Sequence, residues 1–137
     1  MKLAITAGLL QILLCVALSQ AENAHQDSAE RAAREWLTLV DSAQYDASYK
    51  EAASVFRSKV SESQWTAAVS GVRASLGQVV SRTLTSASKA EKLPGAPEGD
   101  YVILQFQTHF ENRLVSTETV TPMLDDGIWR VSGYFVK

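Results

Sequence analysis

The hydrophobic period of this chain changes once. Up to Gly77 the apolar residues recur at helical spacing, and from Gln78 to Lys137 they alternate with a period of two. A pattern of one period does not settle as the other element, so helices come first and strands follow. With one apolar sheet face to bury, that order predicts an α+β domain, N-terminal helices packed on a four-stranded antiparallel sheet. The length, 137 residues, allows one such domain.

The helical part divides into three segments. Asp27-Ser28-Ala29-Glu30 has capping-box spacing and predicts a helix start, after a polar, frayed stretch Glu22 to Gln26. Ala29, Ala33, Trp36, Val40 and Ala43 then share a face. Asp46 to Arg57 reads as a second helix, with Tyr49, Ala52, Ala53 and Phe56 on one side. Ser61-Glu62-Ser63-Gln64 repeats the capping box and opens a third, with Trp65, Ala68, Val69, Val72 and Leu76 inward and Gly77 as its stop.

In the strand part, Val80, Arg82, Leu84 and Ser86 alternate with Val79, Ser81, Thr83 and Thr85. Leu93 to Gly99 is dense in turn residues and predicts a loop. Asp100 to Glu111, Leu114 to Leu124 and Ile128 to Val136 are the next strands, joined by turns at Asn112-Arg113 and Asp125-Asp126-Gly127. Those turns set Phe110 opposite Val115, Phe106 opposite Thr119, Met123 opposite Trp129 and Thr117 opposite Phe135. One face then collects Val102, Leu104, Phe106, Phe110, Val115, Met123, Trp129, Val131 and Phe135. Thr108, Thr117, Thr119 and Thr121 are expected on the same, helix-facing side. Pro122 within a strand calls for a bulge or an unpaired edge.

The N-terminus has the layout of a secretory signal peptide: Lys2, an apolar run from Leu3 to Leu18, then Ser19-Gln20-Ala21. Cleavage is expected after Ala21, giving a signal peptide over residues 1–21 and a periplasmic or secreted domain over 22–137. An uncleaved anchor is the rival reading, but the run falls short of the roughly 20 apolar residues a span needs. Cys15 follows Leu14, not a small residue, which argues against a lipoprotein signal. Cleavage leaves no cysteine, hence no disulfide and no thiol chemistry, and no stable membrane span.

The segments LPGAPEGDYVILQFQTHFEN and ETVTPMLDDGIWRVSGYFVK, with the helix around AAREWL, resemble the bacterial domain-of-unknown-function family 4019. That resemblance implies an exported bacterial protein with no established activity. The helix-then-sheet order and the Trp-Arg-Val-x-Gly-Tyr of the last strand also look like the nuclear-transport-factor-2-like and cystatin-like rolls. Those rolls include enzymes, binding modules and dimerisation domains, so the likeness does not fix a function.

The second sheet face is the place to look for chemistry. The expected register puts Gln107 opposite Glu118 and Glu118 opposite Tyr134, with His109 and Arg130 along the same face. A carboxylate, a phenol and an imidazole are the materials of acid–base work. A solvated face with cross-strand polar pairs uses the same residues. Tyr101, Ile103, Val120, Leu124, Ile128, Tyr134 and Val136 make that face partly apolar, which favours a partner surface, either a homodimer or an envelope protein. Gln107, His109, Glu118, Arg130 and Tyr134 are therefore the candidate interaction residues of a non-catalytic binding module. The alternative is a ligand-binding or enzymatic roll with a cavity walled by Trp36, Trp65 and Trp129. His25 and His109 are the only histidines, and no phosphate loop, nucleophile elbow or dinucleotide fingerprint is present, so no catalytic residue, metal or cofactor is expected. With 13 Lys and Arg against 15 Asp and Glu, a nucleic-acid partner is not expected.

Overall fold

The computed structural model describes the backbone of residues 6–137, and side chains from residue 11 onward. Four helices, α1 (Thr6–Asp41), α2 (Tyr45–Glu51), α3 (Ser54–Lys59) and α4 (Glu62–Leu76), precede four strands, β1 (Val79–Ala90), β2 (Tyr101–Phe110), β3 (Arg113–Asp125) and β4 (Ile128–Val136). The strands form one antiparallel sheet in the order β1-β2-β3-β4. This is the expected α+β arrangement.

Helix α1 packs Ala29, Ala33, Trp36, Leu37 and Val40 against Val102, Leu104, Phe106, Val120 and Val131. Burying side chains of this size is worth about 1.5–3 kcal/mol each for the larger ones, the main force holding helix to sheet. No helix starts at Asp27, because α1 runs continuously through it and through Ala21. Ala43 lies past the helix end with a φ of 59°, and Leu37, not expected on the inner face, is fully buried. Ile12, Leu13, Leu14, Val16 and Leu18 are exposed on the N-terminal part of α1. Lys2 and the first apolar residues up to position 5 lie outside the described residues. Among the described residues no helix is long and apolar enough to cross a membrane.

The single helix expected over Asp46 to Arg57 is broken. Ala52 and Ala53 are extended, with ψ of 159° and 149°, and fully buried. The Ala53 N–H donates to the Val131 carbonyl at 2.8 Å, so the break docks this segment on the edge of β4. Alanine carries only a methyl group, too small to oppose that approach. Asp125, from the β3–β4 hairpin, accepts from the Ser54 N–H at 2.8 Å and from the Ser54 hydroxyl at 2.9 Å, capping α3 from outside. In α4 the capping box at Ser61 and Gln64 is present, and Gly77 ends the helix at φ 77°. Its buried face is Trp65, Val69, Arg73 and Leu76; Val72 and Ala68 are exposed, and Arg73 was not expected inside.

Both hairpins differ from the expected register by one residue or more. The β2–β3 turn is Glu111-Asn112, which pairs Phe106 with Glu118 and Gln107 with Thr117. The β3–β4 turn is Asp126-Gly127, with φ of 51° and 79°, the two left-handed residues a two-residue hairpin loop requires. Leu124 then faces Trp129, and a shift at Thr121/Pro122 moves the pairing again, so that Val120 faces Tyr134 and Thr119 faces Phe135. Pro122 thus sits at the bulge its missing N–H calls for.

A slip of one residue exchanges the two faces of a strand. Glu118, Val120 and Pro122 point to the helices, while Val115 and Phe135, placed in the core by the sequence pattern, are 68% and 50% exposed. Of the four threonines, only Thr108 lies on the helix side; Thr117, Thr119 and Thr121 alternate with Glu118 and Val120 and belong to the other face.

The choice of turn has a tertiary cause. The Glu111 N–H donates to the Gln78 carbonyl and the Asn112 N–H to the Leu76 carbonyl, tying the turn to the end of α4. A Cβ at Gly77 would meet the Asn112 and Glu111 side chains at 3.1 Å, and at φ 77° any other residue is strained, so glycine favours this approach.

Candidate functional site

Glu118 is fully buried at the centre of the helix-facing side of the sheet. Its Oε1 accepts from Arg82 Nε at 2.7 Å and from the Thr108 hydroxyl at 2.5 Å. Its Oε2 accepts from the Tyr134 hydroxyl at 2.6 Å and from an Arg82 terminal nitrogen at 3.2 Å. Strand pairing makes this possible: Arg82 faces Thr108 on β2, and Phe106 sets Glu118 on the same side.

Arg82 bridges outward to the end of α1, giving Asp41 two bonds at 2.8 and 2.9 Å. Arg73 of α4 adds a third to Asp41 at 2.8 Å. Two carboxylates and two guanidiniums thus join α1, α4, β1 and β3, with the Tyr134 phenol of β4 as a fifth member. Desolvation of a charge is costly unless it is paired and hydrogen-bonded, and Glu118 and Arg82 meet that condition.

The electrostatics follow from burial and charge. Burial, then the charge of Glu118 and the hydrogen bond to it, push the Tyr134 phenol well above its usual range. Burial alone would raise Asp41, but hydrogen bonds and charge from Arg82, then Arg73, hold its carboxyl below its ordinary value. Burial opposes the charge on Arg82, yet Asp41 and Glu118 raise it. Arg73 keeps Nε and one terminal nitrogen without partners, shut off from solvent, over the Phe110 ring at 5.1 Å. A groove of about 510 Å³ beside it is bordered by Asp41 and Glu111.

The space between helices and sheet next to this cluster holds aromatic rings. Trp36 lies 5.7 Å from Trp65 and 5.5 Å from Tyr134, and Phe56 meets Trp65 edge-on at 5.2 Å. Both indole N–H groups converge on Ser48, Trp36 on its carbonyl at 2.8 Å and Trp65 on its hydroxyl at 2.9 Å. Trp129 meets His25 edge-on at 6.2 Å and borders, with Trp36, a groove of about 510 Å³ that Trp65 does not reach. The three tryptophans do not wall one common cavity.

The five candidate residues do not share a face. Glu118 and Tyr134 belong to the buried cluster. Arg130 reaches Glu51 on α2, at 3.4 Å to its carbonyl and 3.5 Å to its carboxylate. Gln107 and His109 remain on the face away from the helices. There the pairing aligns Ser81 and Thr83 of β1 with His109 and Gln107, Gln107 with Thr117, and Gln105 with Thr119 and Phe135. Lys137 pairs with Thr117 here through two backbone hydrogen bonds, and its Nζ lies 5.7 Å from the centroid of the Phe135 ring. The sequence pattern missed Arg82, Asp41 and Arg73 as members of a cluster, because they lie on three separate elements. The one available signal was Arg82, a charge at an inward strand position.

A helix-over-sheet α+β domain with a buried ionic cluster and an outer sheet face that exposes Val115 and Phe135 is the class these features define. The chain belongs to the family described as Protein of unknown function (DUF4019), whose model matches residues 32–134. No curated protein and no solved structure matches it.

Proposed function

We propose that this is an exported, non-catalytic interaction module whose working surface is the outer face of the sheet. The observation that carries the reading is the exposure of two apolar side chains on that face, Val115 and Phe135. Apolar side chains left exposed together on a sheet face mark a surface that meets a partner. The buried cluster supports a structural role for Glu118, since both its oxygens are occupied by Arg82, Thr108 and Tyr134. Export is supported by the signal-like residues 1–21 and by the exposure of Ile12 to Leu14. We place the helix-then-sheet order with the nuclear-transport-factor-2-like or cystatin-like rolls.

A photo-crosslinking residue at Gln107, in cells making the full chain, is expected to give discrete adducts. The same residue at Ala67, exposed on α4, is expected to give none. Equal labelling from both positions, or none from Gln107, sinks the reading. Mass spectrometry of the extracytoplasmic fraction is expected to find a chain beginning at Glu22.

A further inference from the structure

We infer that two grooves joined at Trp129, separate from the outer sheet face, take an extended basic segment of a partner polypeptide. Trp129 lines both. One groove, of about 380 Å³, lies between Glu22 and His25 of α1, the end of β1 and the start of β2. The other, of about 510 Å³, lies between α1, α2 and β4. Its lining is largely apolar, with Trp36, Leu39 and Ala47, and with Ile128 left 55% exposed.

The carboxylates around these grooves select the occupant. Glu22 in the first groove is paired with Lys89 at 3.8 Å, and Glu51 in the second with Arg130 at 3.5 Å. Glu91 and Asp100 in the first, and Glu35 in the second, have no side-chain hydrogen bond or ion pair among the described residues. These three unpaired carboxylates outweigh the net charge of the whole chain, −2. The acid excess of the molecule is thus gathered on both sides of one indole. An ammonium or guanidinium group is held by an aromatic ring and by carboxylates together, and an anion is repelled.

Span favours a peptide over a compact amine, which fills one groove only. From Glu22 to Leu39, both lining residues of α1, the helix rises about 26 Å at about 1.5 Å per residue. An extended chain at about 3.3 Å per residue covers that length in about eight residues. Its cations then reach the carboxylates at both ends, and an apolar side chain enters between them against Trp129 and Trp36.

Fluorescence anisotropy of a labelled peptide of alternating Lys and Leu, about eight residues long, titrated with the full chain, tests this. The peptide is expected to bind, more weakly as salt is raised, and its counterpart with Glu for Lys is expected not to bind. Glu35 and Asp100 are both exposed, so Glu35→Gln combined with Asp100→Asn spares the fold and is expected to weaken binding roughly tenfold. Glu62→Gln, at an exposed carboxylate of α4, is expected to leave binding unchanged. Circular dichroism checks that the variants fold. No binding of the Lys–Leu peptide overturns the inference, as does equal binding of its Glu counterpart, or binding that the Glu35→Gln, Asp100→Asn variant leaves intact. Spermine binding as tightly as the peptide and displacing it also ends the inference, since a small polyamine is then the ligand. The outer-face reading is tested separately, by the Gln107 cross-link.

Discussion

Arg82 Nε donates to Glu118 Oε1 at 2.7 Å, and the carboxylate that receives it has no exposure at all. The pair spans the sheet from its edge strand to its third strand, across Thr108. Through Asp41 it also holds the end of α1.

Breaking a buried pair on one side leaves a charge uncompensated. Glu118→Gln is expected to lower unfolding free energy by about 3–5 kcal/mol in denaturant titrations. Tyr134→Phe removes one hydrogen bond to a charged acceptor and is expected to cost about 2 kcal/mol. A Glu118→Gln variant as stable as the parent would show that the cluster does not hold the fold.

Stability is expected to fall at both ends of the pH range, for different groups. Asp41 has a folded pKa below its usual 3.8, so the unfolded chain takes the proton first as pH drops. Its contribution is present above that value and is lost as pH falls through the folded one. Tyr134 has a folded pKa above its usual 10.0, so the unfolded chain loses the proton first as pH rises. Its contribution is complete below that value and declines above it. Thermal melts across pH are expected to show both limbs, the acid one shallower in Asp41→Asn and the alkaline one shallower in Tyr134→Phe.

Two glycines of the same region are expected to respond with opposite signs. Gly77→Ala forces a Cβ to 3.1 Å from Asn112 and Glu111 at a left-handed φ, and is expected to destabilise by about 1–3 kcal/mol. Gly71 lies within α4 and a Cβ there meets nothing within 4 Å, so Gly71→Ala is expected to stabilise by about 0.5–1 kcal/mol. Melting temperatures moving the same way would refute the close approach at Gly77.

Ser48 holds two indoles through different atoms. Ser48→Ala keeps the carbonyl for Trp36 but removes the acceptor of the buried Trp65 N–H. A cost of about 1–3 kcal/mol is expected, with a change in tryptophan fluorescence. An unaltered spectrum would count against the bond to Trp65.

How much of this was legible depends on where the deciding contacts lie. The capping box at Ser61, the stop at Gly77, the loop at Leu93 to Gly99, the bulge at Pro122 and the strand order follow from local chemistry, and all are present. The break at Ala52-Ala53 was not legible, since it is made by Val131, far along the chain. Nor was the β2–β3 register. Asn112-Arg113 and Glu111-Asn112 are both acceptable turns locally, and the carbonyls of Leu76 and Gln78 choose between them.

The amino-acid sequence by itself determined the α+β class, the antiparallel order and the family, because periodicity and turn chemistry act over a few residues. Tertiary structure decided which face of β3 is buried. One residue of register turns Glu118 inward, and it stays there because Arg82, Thr108 and Tyr134, from three other strands, supply every bond the buried carboxylate needs. The same residue of register turns Val115 outward, and the bulge at Pro122 does the same for Phe135, leaving both apolar side chains exposed on the outer face.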